Sequence, residues 1–331
     1  MRAIVFRALR SLTAASLVAG SLVLAGPASS QRTANGFVLE PASIPVAEIL
    51  RGGPPRDGIP ALDDPRVVAA GDAPWADDER VIGVVHGGRA RAYPLGILVW
   101  HELVNDTVGD LPLLVSYCPL CGTGMVFERT IDGAVRRFGV SGLLYQSDLL
   151  MFDRGTESLW SQVEATAVTG PLRGARLTLV RSRIESWGRW RERHPQTTVL
   201  SSRTGHARDY ANPPYADYAT SERLIFPAPL DPRYPAKMPV VGLRVPGGES
   251  RVYPAAELAR SGGTAVGVFG GGPVRVRWDA AAATFDVDAP AGVEVIEGFW
   301  FAWAAFHPET EVYVSAPGDS PTESPSLPSV R

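Results

Sequence analysis

The sequence predicts an α+β protein that is β-rich, with antiparallel sheets, a few short helices and a degenerate internal duplication. Three observations lead there. Short apolar runs are separated by Gly-Gly, Asp-Gly and Gly-Thr turns. Glycine (34) and proline (29) are abundant among the 331 residues, which favours turns and short strands over long helices. One ordered set of motifs also occurs twice.

The elements follow in order. Residues 1–30 read as a secretory signal: Arg2, Arg7 and Arg10 precede an apolar stretch from Ser11 to Gly26, and small residues follow at Ala28-Ser29-Ser30. The mature chain is therefore expected outside the cytoplasm, periplasmic or extracellular, with no membrane span. Residues 31–58 are an N-terminal extension. VIGVVH (81–86) and RARAYPL (89–95) make a hairpin over Gly87-Gly88. Leu95 to Val104 is expected to be a short helix ending near Asn105-Asp106. LPLLVSY (111–117) is continuously apolar, hence a buried strand. Further hairpins turn at Asp132-Gly133 and between DLLMFDR (148–154) and SLWSQVE (158–164). Ser186 caps a helix to Arg193, and TTVLS (197–201) is a strand. The tail 316–331, rich in Pro and Ser, is expected to be disordered.

The duplication divides the chain into a first copy, 59–225, and a second, degenerate copy, 226–315. Asp64-Pro65-Arg66 recurs as Asp231-Pro232-Arg233, and Arg91-Ala92-Tyr93-Pro94 as Arg251-Val252-Tyr253-Pro254. Trp187-x-x-Trp190-x-x-x-His194-Pro195-x-Thr197 recurs as Trp300-x-x-Trp303-x-x-x-His307-Pro308-x-Thr310. Aligning the Tyr-Pro pairs sets Ser261 opposite His101 and Arg260 opposite Trp100. Matching Val115-Ser116-Tyr117 with Gly267-Val268-Phe269 sets Gly270-Gly271-Gly272-Pro273 opposite Cys118-Pro119-Leu120-Cys121. On that alignment the second copy has no thiol and no histidine equivalent to His101, and is structural.

Composition narrows the function. A net charge of −3 gives no electrostatic footprint for nucleic acid. There is no phosphate loop, no nucleotide or flavin signature, no GxSxG elbow and no HExxH. The only two cysteines form one CxxC. A bridge across so small a loop restrains little of the unfolded chain, so stapling explains the pair poorly. Two thiols at this spacing can share one soft metal or cycle as a disulfide.

His101, in Trp100-His101-Glu102, is the candidate third ligand of a metal or the base beside a reactive thiol. Met151 and Asp148 are further candidate ligands. Trp100, Glu102, Asn105, Ser141, Asp148, Trp160 and Gln162 are candidate pocket residues. The leading expectation is a soft-metal site, copper as Cu(I) ahead of zinc. A thiol–disulfide oxidoreductase and a binding module with an inert CxxC bridge are the alternatives. A thioredoxin-like arrangement would need a helix N-terminus after the CxxC, whereas Gly122-Thr123-Gly124 and an apolar strand follow.

The segments ARAYPLGILVWHELVNDTVG, LLVSYCPLCGTGMVFER, FGVSGLLYQSDLLMFDR, LWSQ and HPQTTVLS resemble the secreted bacterial and archaeal family catalogued as domain of unknown function 3179. The resemblance runs from about Ile59 to about Tyr218 and continues more weakly through the second copy. Its YCPLCGT and WHExxND motifs are both intact. The family carries no biochemical assignment to transfer, so the resemblance supports the choice of residues without naming a reaction.

Overall fold

The structure, a computed structural model, describes residues 32–215 and 217–316. The segment expected to be a signal and the tail beyond Ala316 lie outside them. Strands account for 42% of the described residues and helices for 12%. This corrects the α+β expectation: the protein is a β protein, five small sheets of three to five strands in a five-blade β-propeller arrangement. The four α-helices have six or seven residues each, too short to form a layer of their own.

In the first copy, β1 (Arg80–His86) and β2 (Arg89–Pro94) form the hairpin over Gly87-Gly88. Both turn residues have positive φ, 55° and 73°, as a tight two-residue hairpin loop requires. Helix α1 (Leu95–His101) follows. It stops at Glu102, whose φ is 56°, and Leu103 is already in strand β3 (Leu103–Val108). The expected helix to Val104 is thus three residues too long. Pairing ends it: the Tyr117 amide donates to the Glu102 carbonyl at 2.8 Å, and Leu103 pairs with Ser116.

Strand β4 (Leu111–Cys118) runs beside β3, and β5 (Thr123–Glu128) returns beside β4. β6 (Phe138–Tyr145), β7 (Asp148–Asp153) and β8 (Leu159–Ser161) form the next sheet. The N-terminal extension joins it, with Leu50–Arg51 pairing on β6. β9 (Ser182–Ser186), α2 (Trp187–Arg193) and β10 (Thr198–Leu200) then return to the first hairpin, where β10 runs parallel to β2. Ser186 caps α2, its side chain accepting from the Arg189 amide.

The second copy repeats this order. β11 (Pro239–Arg244) and β12 (Ser250–Pro254) lead to α3 (Ala255–Arg260). β13 (Thr264–Phe269), β14 (Gly272–Asp279) and β15 (Thr284–Asp288) make a three-stranded sheet. β16 (Glu294–Phe299), α4 (Trp300–Phe306) and β17 (Glu311–Val312) close the unit. The sheet orders β9-β1-β2-β10 and β16-β11-β12-β17 correspond, including the parallel last pair.

The Trp-x-x-Trp-x-x-x-His motifs hold the same contacts twice. Trp190 covers Gly83 and Trp303 covers Gly242; a Cβ on either glycine would lie 2.3 Å or 2.1 Å from the ring. The indoles donate to Thr197 Oγ1 at 2.9 Å and Thr310 Oγ1 at 3.1 Å. His194 and His307 each tilt against their tryptophan at 4.2 Å and 49°.

Strand pairing also corrects the alignment of the two copies. Val108 opposes Leu111, and Cys118 opposes Thr123. In the second copy Phe269 opposes Gly272, and Asp279 opposes Thr284. Asp279 therefore occupies the place of Cys118, Ala282 that of Cys121, and Ala283 (φ 47°) that of Gly122 (φ 65°). Gly270-Gly271 matches the turn at Gly109-Asp110 instead. The sequence match was one strand out because β13 shares the apolar look of β4, and the Gly262-Gly263 pair after α3 shifts the numbering.

The two copies clasp each other reciprocally. β5 of the first packs on β16 of the second, and β15 of the second packs on β9 of the first. Arg189 pairs with Asp279 at 2.6 Å, and Arg80 donates to the Ala283 carbonyl at 2.8 Å. The largest core cluster joins Cys118, Cys121, Phe138, Met151 and Trp160 to Trp300, Phe301 and Trp303.

Candidate metal centre

Cys118 ends β4 and Cys121 lies three residues on, in the four-residue loop before Thr123 opens β5. Pro119 fixes one backbone angle of this loop, and Gly122 supplies its positive φ. The hairpin is braced from below. Thr123 Oγ1 donates to Gln162 Oε1 at 2.7 Å, and Gln162 Nε2 donates to Ser116 Oγ at 2.8 Å; all three side chains are fully buried or nearly so.

The third member is Asp148, the first residue of β7. Its carboxylate and the two Sγ atoms all lie within 4.8 Å of one another, and all three residues are buried. A turn through Gln146 (φ 53°) and Ser147 (φ 65°) aims Asp148 at the thiols. The Cys121 thiol donates to the Ser147 carbonyl at 3.4 Å, and Asp148 Oδ2 accepts from the Val163 amide at 3.2 Å. Among the described residues Asp148 Oδ1 and Ser147 Oγ have no hydrogen-bond partner, and the groups that act on the Asp148 carboxyl besides Val163 and Leu149 are the two thiols.

Burial dominates the electrostatics. It raises the Cys118 thiol, with Asp148 and Glu102 adding to the effect, and it raises the Cys121 thiol well above the usual range, with Cys118 adding. It pushes Asp148 up to about 7 and Glu102 up to about 8, the latter with help from Asp148. Among the described residues neither carboxyl has an ion-pair partner, so nothing in the chain neutralises the cluster if it ionises.

The candidate residues separate clearly. Cys118, Cys121 and Asp148 come together; His101 does not join them. Its Nδ1 is 2.7 Å from the Pro60 carbonyl and its Nε2 is 2.7 Å from the Tyr210 hydroxyl, so both ring nitrogens are engaged. Burial holds it down at about 4, a neutral ring that ties α1 to the 204–210 loop. Trp100 serves the same loop, donating to the Asp209 carbonyl at 3.2 Å. Glu102 lies beside the cluster without entering the three-donor group.

Met151 is buried in the core, paired with Val140 and Trp160. Asn105 joins β3 to β6, exchanging two bonds of 2.8 Å with the Phe138 backbone. Ser141 bonds the Leu150 carbonyl and the Leu143 amide inside the β6 bulge. Trp160 donates to Asp153 at 3.1 Å. These four are framework, and Gln162 is a brace.

One contributor, Phe299, escaped the sequence reading, and a second, Tyr218, is legible there only as part of a Pro-flanked aromatic loop with Tyr210 and Tyr215 that covers a pocket or fills a gap between the copies. Phe299, at the end of β16, donates its amide to the Cys121 carbonyl at 2.8 Å and lays its ring over Gly122. Tyr218, in that loop, is 6% exposed, belongs to the cysteines' core cluster and has a hydroxyl proton that no acceptor takes among the described residues. A signal existed for Phe299: the otherwise matched helix entries differ there, Ser186 in one copy and Phe299 in the other.

A β framework that brings two buried thiols of one hairpin turn to the carboxyl group of another defines a class: a protein with a compact thiol–carboxyl cluster sealed inside its core. The chain belongs to the family described as proteins of unknown function (DUF3179), whose profile matches residues 56–290. No curated protein and no solved structure matches it. No helix among the described residues is long and apolar enough to cross a membrane.

Proposed function

We propose that this protein is an exported metal-binding protein whose ion is held by Cys118, Cys121 and Asp148. The carrying observation is the convergence of three buried donors within 4.8 Å, with Asp148 Oδ1 left without a hydrogen-bond partner among the described residues. A buried polar atom without a partner costs about 1–3 kcal/mol, more when charged, and a cation would remove that cost. Two thiolates with a carboxylate form a harder set than two thiolates with an imidazole. That shifts the preference from Cu(I) towards Zn²⁺, which takes Cys and Asp ligands in tetrahedral sites.

Thiol–disulfide exchange, which the CxxC spacing also suggests, needs an accessible thiolate. Both thiols are buried, and their environment favours the protonated form.

The test is metal analysis of protein purified after export. Near-stoichiometric Zn²⁺ is expected in the unmodified chain and should be lost in Cys118→Ser and Asp148→Asn. Absence of metal, with no uptake of Zn²⁺, Co²⁺ or Cu(I) by the reduced protein, overturns the reading.

A further inference from the structure

The three protein donors leave a tetrahedral ion one position short, and the surroundings of the cluster show what faces that position. Tyr218 is nine-tenths buried, and among the described residues no acceptor takes its hydroxyl proton, the one backbone group acting on it being that of Ile225, which donates. It packs in the same core cluster as both cysteines and lines a cleft together with Pro119 of the cysteine loop. Ser147 Oγ, beside Asp148, is a second buried hydroxyl, without a hydrogen-bond partner among the described residues. With Asp148 taken up by the ion, these two buried hydroxyls are left to serve an additional ligand.

Tyr218 is held there by design of the loop. Lys237, from the second copy, sits 3.3 Å from the Tyr218 ring centroid. Its ammonium donates to the Tyr218, Ser221 and Arg223 carbonyls and to Ser221 Oγ. This cation clamps the 218–223 turn so that the phenol stays buried in the cysteines' core cluster.

The cysteine loop also borders a cleft of about 680 Å³, lined by Trp75, Tyr117, Pro119, Tyr215, Tyr218 and Phe299, among others. Pro119 belongs to the CxxC itself, and Tyr218 belongs to both the cleft and the core cluster. Tyr215, 47% exposed, stands at the outer side of this cleft.

We infer that the metal keeps an open fourth position for an exogenous anionic ligand, a hydroxide or the carboxylate of a small molecule, which enters from the aromatic cleft and accepts a hydrogen bond from the Tyr218 hydroxyl. This rests on the metal reading above. It goes further by making the centre open, as in metal sites that carry a reactive water, and not closed as in structural ones. Tyr218 acts as a hydrogen-bond donor to that ligand; no bond is made or broken in the step described.

Co²⁺-loaded protein titrated with azide, an anion that ligates through one end and accepts hydrogen bonds, tests the inference. A sulfur-to-cobalt charge-transfer band is expected in both the unmodified protein and Tyr218→Phe, and it reports the thiolate ligands alone. Azide should shift the d–d bands of the unmodified protein. It should bind Tyr218→Phe more weakly by about 10- to 150-fold, the range expected for one hydrogen bond to an anion. A normal charge-transfer band with d–d bands indifferent to azide overturns the open position while leaving metal binding intact. Equal azide affinity in Tyr218→Phe overturns the role of the phenol. No charge-transfer band in the unmodified protein overturns both readings. The titration of the unmodified chain needs no variant, so a poorly folding Tyr218→Phe does not shield the open position from the test.

Discussion

The amide of Phe299 donates to the carbonyl of Cys121 at 2.8 Å, so a strand of the second copy closes the cysteine loop of the first. Gly298, next to it, has no room for a side chain. A Cβ there would lie 2.8 Å from Thr123 Cγ2 and 3.3 Å from the Cys121 carbonyl oxygen. Thr123 cannot yield easily, because Gln162 holds its hydroxyl. Gly298→Ala is expected to cost about 1–3 kcal/mol in urea unfolding. It should also weaken Co²⁺ binding, measured by the charge-transfer band, because the loop it displaces carries both thiols.

The two tryptophan–glycine contacts give a paired prediction. Gly83→Ala and Gly242→Ala each force a methyl group into an indole ring. Each should destabilise by about 1–3 kcal/mol or more, and by similar amounts, because the two contacts have the same geometry. Urea midpoints of the two variants check this. A large effect from only one would show that the copies differ in how freely they relax.

Asp148→Asn and Glu102→Gln should separate ligand from neighbour. Asn keeps the shape of Asp148 but removes its charge, and Zn²⁺ affinity should fall by more than the roughly 10- to 100-fold typical of residues that only support a ligand. Glu102→Gln, outside the three-donor group, should change affinity by less than about threefold, since only a nearby charge is lost. Competition with a chromophoric chelator measures both. Glu102 carries backbone strain as well, with φ at 56° where the second copy has glycines at 72° and 83°. Glu102→Gly should therefore raise stability by about 1 kcal/mol.

Acid should destabilise the protein partly through two histidines. Burial holds His101 at about 4 and His307 at about 3, against about 6.5 in an unfolded chain. Between those values the unfolded state binds protons that the folded state refuses. Their contribution is therefore complete above pH 6.5 and is lost as the pH falls towards 4. Glu297, raised to about 7 by burial, works in the opposite sense, so the difference between proteins is the useful quantity. His307→Phe should flatten the fall of the urea midpoint between pH 6.5 and 4, at most by about 1.4 kcal/mol per pH unit.

Much of the framework was legible in the residues. Gly87-Gly88 and Asp132-Gly133 turn where their composition demands positive φ, and Ser186 caps its helix. The CxxC announced itself, and Asp148 was visible as a polar residue heading an apolar strand. His101 misled because its ligand chemistry is general, while its actual partners, Pro60 and Tyr210, are distant in sequence. The end of α1 misled because Leu103 and Val104 fit a helix and a buried strand alike; the choice was made by pairing with β4. The third donor and Tyr218 arrive from separate loops, and no periodicity in one segment reports where another will fold.

The reciprocal clasp between the copies has a consequence for how the protein comes into being. The residues that close and cover the cysteine loop, Lys237 and Phe299, follow both thiols and Asp148 in the chain. During synthesis the donors emerge first, unsealed, and the last strand and helix arrive to shut them in. Metal would thus have its easiest access to an immature chain. A variant that loads poorly could be one that closes too early, even with every ligand in place.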